Sequence, residues 1–282
     1  MAILKENRFG NETFVHCSGS LIHPRYVITA AHCFDGRNPA NFNLYKDNFT
    51  LAFGLNNINH LKIPNLIKAT GIELRNIKEV LPFPEYNYPS AYYDVSLVEL
   101  TEEVPLGPSI WPICLPDSEI EDKDHLMGDS AIVVGFGPET DKSKLLNQLR
   151  HKIEPSLRCE FEYDPEKNVK KKAAIKMTLP NKFDDSLICA GDKFSSALGT
   201  CAGDSGAPLL TDLLDLKSKE IVFNLLGVLH GGVVSCDNSE YPAIYVRISA
   251  PKIYKWIKEN GFKNVELPIS SLQKSEGKIV RI

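Results

Sequence analysis

Apolar residues along this chain fall in short runs, rich in Val, Ile, Leu, Phe and Tyr and bounded by Gly, Pro, Asn and Asp. The pattern predicts β-strands over 17–22, 26–30, 49–53, 95–100, 131–135, 208–210, 221–229 and 244–248. Many short strands at irregular spacing, with turn chemistry between them, imply an all-β barrel or sandwich. A helix signature occurs twice. Asp164-Pro165-Glu166 offers an N-cap, a proline at the first helical position and an acidic first turn. Residues 250–259 follow Ser249 as N-cap, carry Pro251 early and stop at Gly261, with Ile253, Trp256 and Ile257 on one face. The polar stretch 270–277 reads as loosely ordered, and 116–123, a proline followed by a charged run, as the linker between halves. No internal repeat or low-complexity segment interrupts this plan.

Composition adds that these strands can enclose a core, since 43% of the 282 residues are hydrophobic and 24% charged. With 32 Lys+Arg against 36 Asp+Glu the net charge is -4, which excludes the basic excess of a nucleic-acid binder. The longest apolar stretch, 221–234, contains Asn224 and His230 and falls short of the roughly 18 apolar residues of a membrane span. The start, MAILKENRFG, has too few apolar residues before Lys5 for a signal peptide. Yet seven cysteines and two sequons, Asn11-Glu12-Thr13 and Asn48-Phe49-Thr50, point to an extracellular protein. From 51 to 72 there is no Asp or Glu, which argues against a calcium loop; no metal or cofactor is expected.

Candidate chemistry sits in three motifs. Thr29-Ala30-Ala31-His32-Cys33 follows an apolar strand, Asp94-Val95-Ser96-Leu97-Val98-Glu99-Leu100 opens one, and Gly199-Thr200-Cys201-Ala202-Gly203-Asp204-Ser205-Gly206-Ala207-Pro208 is a glycine-rich loop. Acyl transfer by serine needs a hydroxyl, a base to take its proton and a group to orient the base. Ser205, His32 and Asp94 supply those groups, and Gly203 lets the N–H groups at 203 and 205 face one oxyanion. Alone, each motif reads as an ordinary loop or turn; together and in this order they do not.

With these residues the chain resembles the chymotrypsin/trypsin family of serine proteases. Further matches are Trp111-Pro112-Ile113-Cys114-Leu115-Pro116, Gly135-Phe136-Gly137, Ile188-Cys189-Ala190-Gly191, Tyr241-Pro242-Ala243-Ile244-Tyr245 and the helix with Trp256, over roughly residues 1–262. The order His, Asp, Ser is that of chymotrypsin; an α/β-hydrolase runs Ser, acid, His and wants a final Gly where this chain has Ala207. The resemblance implies two antiparallel six-stranded β-barrels with a C-terminal helix, the first barrel N-terminally incomplete. The barrels would span about 1–118 and 119–249, with a helix at 250–260 and a tail at 263–282.

By the same resemblance Ser205 is the nucleophile, His32 the general base then acid, and Asp94 its orienter. The N–H groups of Gly203 and Ser205 form the oxyanion hole, and Asp204 pairs with a newly cleaved α-amino group. Disulfides Cys17–Cys33, Cys159–Cys189 and Cys201–Cys236 follow. A fourth family disulfide is replaced at both positions, by Ala131 and Thr211. Cys114 is left over and implies a link to an N-terminal propeptide or light chain. The specificity pocket has Gly199 at its floor and Gly232 and Ala243 as walls, which favours an uncharged, apolar P1 side chain, although Asp237 lies near in sequence. Where the family usually has Ser-Trp-Gly, the chain aligns His230-Gly231-Gly232. A histidine in the first place would change the hydrogen bonding of Asp94; a register shifted by one residue is the alternative. Lys167, Lys170, Lys171, Lys172 and Lys176 read as a solvated face, with a basic exosite as the sharper reading.

The start at Met1 offers no activation segment for Asp204, so the expectation is a longer parent protein with a signal peptide and an activation site. The leading function is an extracellular serine endopeptidase acting on polypeptides. The alternatives are an inactive homologue acting as a binding or regulatory module, and an esterase, which the chain order disfavours.

Overall fold

The structure is a computed structural model, and it describes residues 1–6, 13–34, 42–44, 46–62, 70–88, 90–116, 127–137, 146–155, 159, 183–191, 200–215, 221–232, 242–261 and 279–281. Two antiparallel sheets of seven strands each make up the fold. The first contains β1 (Ala2–Glu6), β2 (Thr13–Ser18), β3 (Ser20–His23), β4 (Tyr26–Thr29), β5 (Phe49–Phe53), β6 (Glu73–Pro82) and β7 (Ser96–Leu100). Its order is β2-β1-β5-β6-β7-β4-β3. The two outer members are consecutive in the chain, divided only by Gly19. A Cβ at Gly19 would lie 3.0 Å from the Ile28 carbonyl oxygen, so a glycine permits the close approach at this bend. The result is a half-barrel.

The second sheet contains β8 (Ser130–Gly135), β9 (Asn147–Glu154), β10 (Leu187–Gly191), β11 (Pro208–Asp215), β12 (Ile221–Gly231), β13 (Ala243–Arg247) and β14 (Ile279–Arg281). Its order is β12-β13-β10-β9-β8-β11-β14, and a further β12–β11 pairing closes six of the strands into a barrel. Closure removes the open edges on which strands aggregate. Strand β14, from the C-terminal tail, adds to the outside of β11 through Leu213↔Arg281.

Side-chain alternation sorts the core into layers. On β8, Ala131 and Val133 belong to the cluster inside the closed barrel with Leu209, Leu229 and Tyr245. Ile132 between them joins the larger cluster that runs through the first sheet. Ala131 and Thr211, the replaced disulfide positions, are both buried, each next in sequence to a member of the Leu210↔Ile132 pair. The helix α1 (Pro251–Gly261) begins with the proline and ends on the glycine, one residue away from the expected start. Ile253, Tyr254, Trp256 and Ile257 are its buried face, and the Trp256 ring meets Phe83 edge-on at 5.3 Å.

All eight expected strands lie on observed ones; β1, β6, β9, β10 and β14 are additional. The expected helix at Asp164 and the stretch 270–277 lie outside the described residues.

Candidate active site

Each candidate side chain is held by the end of a strand. Strand β4 stops at Thr29, and a single 3-10 turn, Ala31–Cys33, follows. A disulfide joins Cys33 to Cys17 on β2, so the turn is pinned at its far end. His32 rides between these anchors. Its backbone N–H donates to Asp94 Oδ1 at 2.8 Å and its Nδ1 lies 2.5 Å from Asp94 Oδ2. A carboxylate accepts, so the proton sits on Nδ1 and Nε2 is left as an acceptor.

Asp94 is aimed by the residue before it. Tyr93 has φ 56°, the left-handed region, and the Val95 N–H donates to the Tyr93 carbonyl at 2.7 Å, turning the chain tightly around Asp94. A non-glycine there costs about 1–2 kcal/mol. Stacking of the Tyr93 ring on Phe83, with centroids 4.9 Å apart, offsets part of that.

The Asp94 carboxyl is fully buried. Burial alone pushes it up, but the His32 and His230 imidazoles outweigh burial and hold it well below the usual carboxylate range. His230, near the end of β12, brings its Nδ1 to 2.5 Å from the same Oδ2. The two imidazoles meet edge to face at 5.5 Å. Of the two registers left open by the sequence, the structure has the one with His230 on Asp94.

The loop 203–206 supplies the hydroxyl. Gly203 at φ 100° and Gly206 at φ 81° make turns that side chains resist. The Ser18 N–H donates to the Ser205 carbonyl at 2.8 Å, and the Gly206 N–H donates to the Leu229 carbonyl at 2.8 Å. The serine is thereby clamped between the first sheet and the closed barrel, half-buried, next to the segment carrying His32. A Cβ on Gly206 would sit 2.1 Å from Thr29 Oγ1 and 2.3 Å from the Ser18 carbonyl oxygen. Asp204 turns inward. It accepts the Gly137 N–H at 2.6 Å and the Cys201 N–H at 2.8 Å, and burial pushes its carboxyl up.

Ser18 is a site residue that sequence reasoning passed over. Its hydroxyl donates to the Gly203 carbonyl at 2.9 Å and accepts the Phe136 N–H at 3.2 Å. A polar residue inside an apolar strand was the only available signal.

Around the loop, Gly232 lies beside Thr200 and Ala243: a Cβ on it would be 3.1 Å from Thr200 Oγ1 and 3.6 Å from Ala243 Cβ. The expected floor, Gly199, is outside the described residues, as are Asp237 and the lysines from 167 to 176. The Cys159–Cys189 disulfide is present. Cys201 is disulfide-bonded, while Cys236 lies outside the described residues. Cys114 is half-buried, its carbonyl accepting the Leu225 N–H at 2.9 Å. Asn48 is exposed; Asn11 lies outside the described residues. No described helix is long and apolar enough to cross a membrane.

A protein-family model described as Trypsin matches residues 6–257. The chain belongs to the trypsin family. Among trypsin-family relatives, Melanization protease 1 of Drosophila melanogaster is 27% identical over 275 residues, which cover 92% of this chain and 62% of that protein. The atrial natriuretic peptide-converting enzyme of Mus musculus is 28% identical, over 83% of this chain and 18% of that protein. Kallikrein 1-related peptidase b3 of Mus musculus is 26% identical, over 88% and 81%. This chain therefore spans less than two thirds of the length of the first two. Among solved trypsin-like structures, neuropsin, a serine protease expressed in the limbic system of mouse brain, superposes with a TM-score of 0.62 at 22% identity, covering 92% of this chain and 93% of that one. That likeness establishes the chymotrypsin-like fold, and the family is one of serine proteases.

Proposed function

We propose that this trypsin-family chain is a serine endopeptidase in which Ser205 attacks the scissile carbonyl, His32 relays the proton and Asp94 orients His32. The observation that carries the reading is the doubly tied His32–Asp94 pair, with backbone N–H on one carboxylate oxygen and Nδ1 on the other. The tie favours the tautomer in which Nε2 is the acceptor for the serine proton, since Asp94 stays ionised. The N–H groups of Gly203 and Ser205 would receive the developing oxyanion, and the Ser18–Gly203 hydrogen bond supports that orientation. His32 then protonates the leaving amine, water attacks the acyl-enzyme, and the acid product leaves with Ser205 restored.

The small walls Gly232 and Ala243, with Gly199, favour an uncharged apolar P1 side chain over Lys or Arg. The disulfide framework supports an extracellular setting. A buried Asp204 whose carboxyl is pushed up by desolvation would be relieved by a cation, which supports a zymogen step that presents one. The esterase reading has no feature in its favour here.

The test is labelling of Ser205 by a serine-directed fluorophosphonate, mapped by mass spectrometry, followed by a peptide panel varied at P1. Adduct at Ser205, lost in H32A, with faster cleavage after Leu or Phe than after Arg, is the expected result. One observation favours the second reading, an inactive homologue: His230 shares Asp94 Oδ2 with His32. Absence of adduct after activating cleavage would decide for it.

A further inference from the structure

We propose that His32, Asp94 and His230 together bind a divalent transition-metal ion of the zinc class, and that the ion switches the proposed protease off. The metal site stands on the three side chains themselves; the switch rests on the protease reading of Ser205, His32 and Asp94.

Among the described residues, two groups bring three potential metal donors within 4.8 Å of one another. The first is Cys17, His32 and Cys33, but its sulfurs are joined in a disulfide and are not thiolates. The second is His32, Asp94 and His230. Its donors are two imidazoles and one carboxylate, ligand types that zinc takes at sites with a fourth position open. Nδ1 of each ring lies 2.5 Å from Asp94 Oδ2, and the rings stand edge to face at 79°, so both nitrogens converge on one point. Asp94 Oδ1 accepts the His32 backbone N–H at 2.8 Å, which leaves Oδ2 as a fixed single donor. Two nitrogen donors select zinc-class ions over calcium or magnesium, which take oxygen. The three residues come from the turn after β4, the turn before β7 and the end of β12, so no ligand spacing in the sequence marks them.

Tetrahedral zinc, with bonds of about 2.0–2.2 Å, sets its donors roughly 3.3 Å apart, so each ring must withdraw by about 0.8 Å. His32 has freedom on its solvent side, where 22% of the side chain is exposed, and water reaching that side completes the coordination. His230 lies at the β12–β13 register shift and precedes Gly231 and Gly232, two glycines that ease a backbone adjustment. The effect on catalysis follows from the tautomer. Without the ion, the Nδ1 proton of His32 faces Asp94 and Nε2 accepts. A metal on Nδ1 moves that proton to Nε2, which then has no lone pair for the serine proton. Asp94 is drawn onto the ion at the same time and no longer orients His32. Removing the ion restores both.

The experiment titrates the chain with ZnCl2 by isothermal calorimetry and follows fluorophosphonate labelling of Ser205 over the same series. Wild type should bind one zinc ion and lose labelling in step with binding, and EDTA should restore it. H230Q carries an amide donor in place of the imidazole, and H230L carries none. Each should weaken zinc binding, and raise the zinc concentration that halves labelling, by about 100-fold or more, since losing even an outer partner of a metal ligand costs about 10–100-fold. H16Q alters the imidazole on the other flank of the His32 turn and should bind as wild type does. MgCl2 at the same concentrations should leave labelling unchanged. The proposal is overturned if wild type binds no zinc, if both His230 variants bind it as tightly as wild type, or if magnesium inhibits equally. Full labelling of the zinc-loaded chain overturns the switch. If H230L does not fold, H230Q decides alone. If metal-free wild type gives no Ser205 adduct, the protease reading fails, and the metal site is judged by cobalt. A tetrahedral Co2+ absorption spectrum in wild type that H230Q lacks supports the site, and the same spectrum in both refutes it.

Discussion

Replacing Gly206 by alanine adds one methyl group and should separate the two sheets at the point where they meet. Alanine at φ 81° costs about 1–2 kcal/mol from the backbone alone. The new Cβ would lie 2.1 Å from Thr29 Oγ1, 2.3 Å from the Ser18 carbonyl oxygen and 3.0 Å from the Ala30 nitrogen. Thr29 could swing away only by breaking its buried 2.7 Å hydrogen bond to the Ser18 carbonyl, a loss of about 1–3 kcal/mol. Ser18 and Ala30 present backbone atoms and cannot yield without moving their strands. G206A should therefore cost at least about 3 kcal/mol. It should also shift Ser205, whose carbonyl is held by Ser18, and a displacement of about 1 Å costs on the order of 100-fold in rate. Gly71 is the control: its φ is 68° and a Cβ there meets nothing within 4 Å, so G71A carries the backbone penalty without the clash. Urea unfolding followed by Trp256 fluorescence, with fluorophosphonate labelling on the same samples, reads both effects. If G206A loses no more stability than G71A and labels at the wild-type rate, the clamping of this loop is refuted.

Ser18→Ala removes a hydroxyl that serves two buried backbone groups, so it should cost about 1–3 kcal/mol and slow labelling while leaving substrate KM nearly unchanged; a purely thermal effect with normal labelling would count against its role in orienting Gly203. Removing the Cys17–Cys33 disulfide as C17A/C33A opens a loop of sequence separation 16 and should lower stability by about 3 kcal/mol, measured by urea unfolding. His16 is held below its ordinary pKa of 6.5, first by burial and then by Lys5. Below 6.5 the unfolded chain therefore binds a proton that the folded chain resists, and stability falls as pH drops. H16Q can still donate to the Cys33 carbonyl that His16 Nε2 meets at 3.0 Å, and it should gain on wild type as pH falls from about 7 to 5. Parallel stability curves would sink that assignment.

What the sequence disclosed follows from where each residue faces. Runs such as 49–53 and 221–229 carry apolar side chains that the core demands, and they were read as strands. Strand β6, ELRNIKEVLP, was missed because only Ile77 and Val80 among its residues are deeply buried, and a register shift between Ile77 and Glu79 spoils the alternation. Strand β10 shows in the sequence only through its Cys189 motif, being a short run buried throughout. In the site, His32, Asp94 and Ser205 were found by residue type and order. The left-handed Tyr93 gave no sign, since nothing about a tyrosine announces a positive φ. His230 stands out in the sequence as a departure, but the contact it makes accompanies a register shift between Leu229 and Gly231 that only the folded β12–β13 pairing reveals.

The hydrogen bonds of Ser18 have a further consequence for the order of assembly. They run from the bend of the first sheet to Ser205, Gly203 and Phe136, all of which lie beyond the strands of the first sheet. His32 and Asp94 come from the first half, and His230 and Ser205 from the second. A chain with only its first sheet folded would hold His32 and Asp94 without Ser205. A molecule with its halves undocked would hold all three without a shared geometry. On the reading proposed above, His32, Asp94 and Ser205 share one geometry only once the two halves have docked.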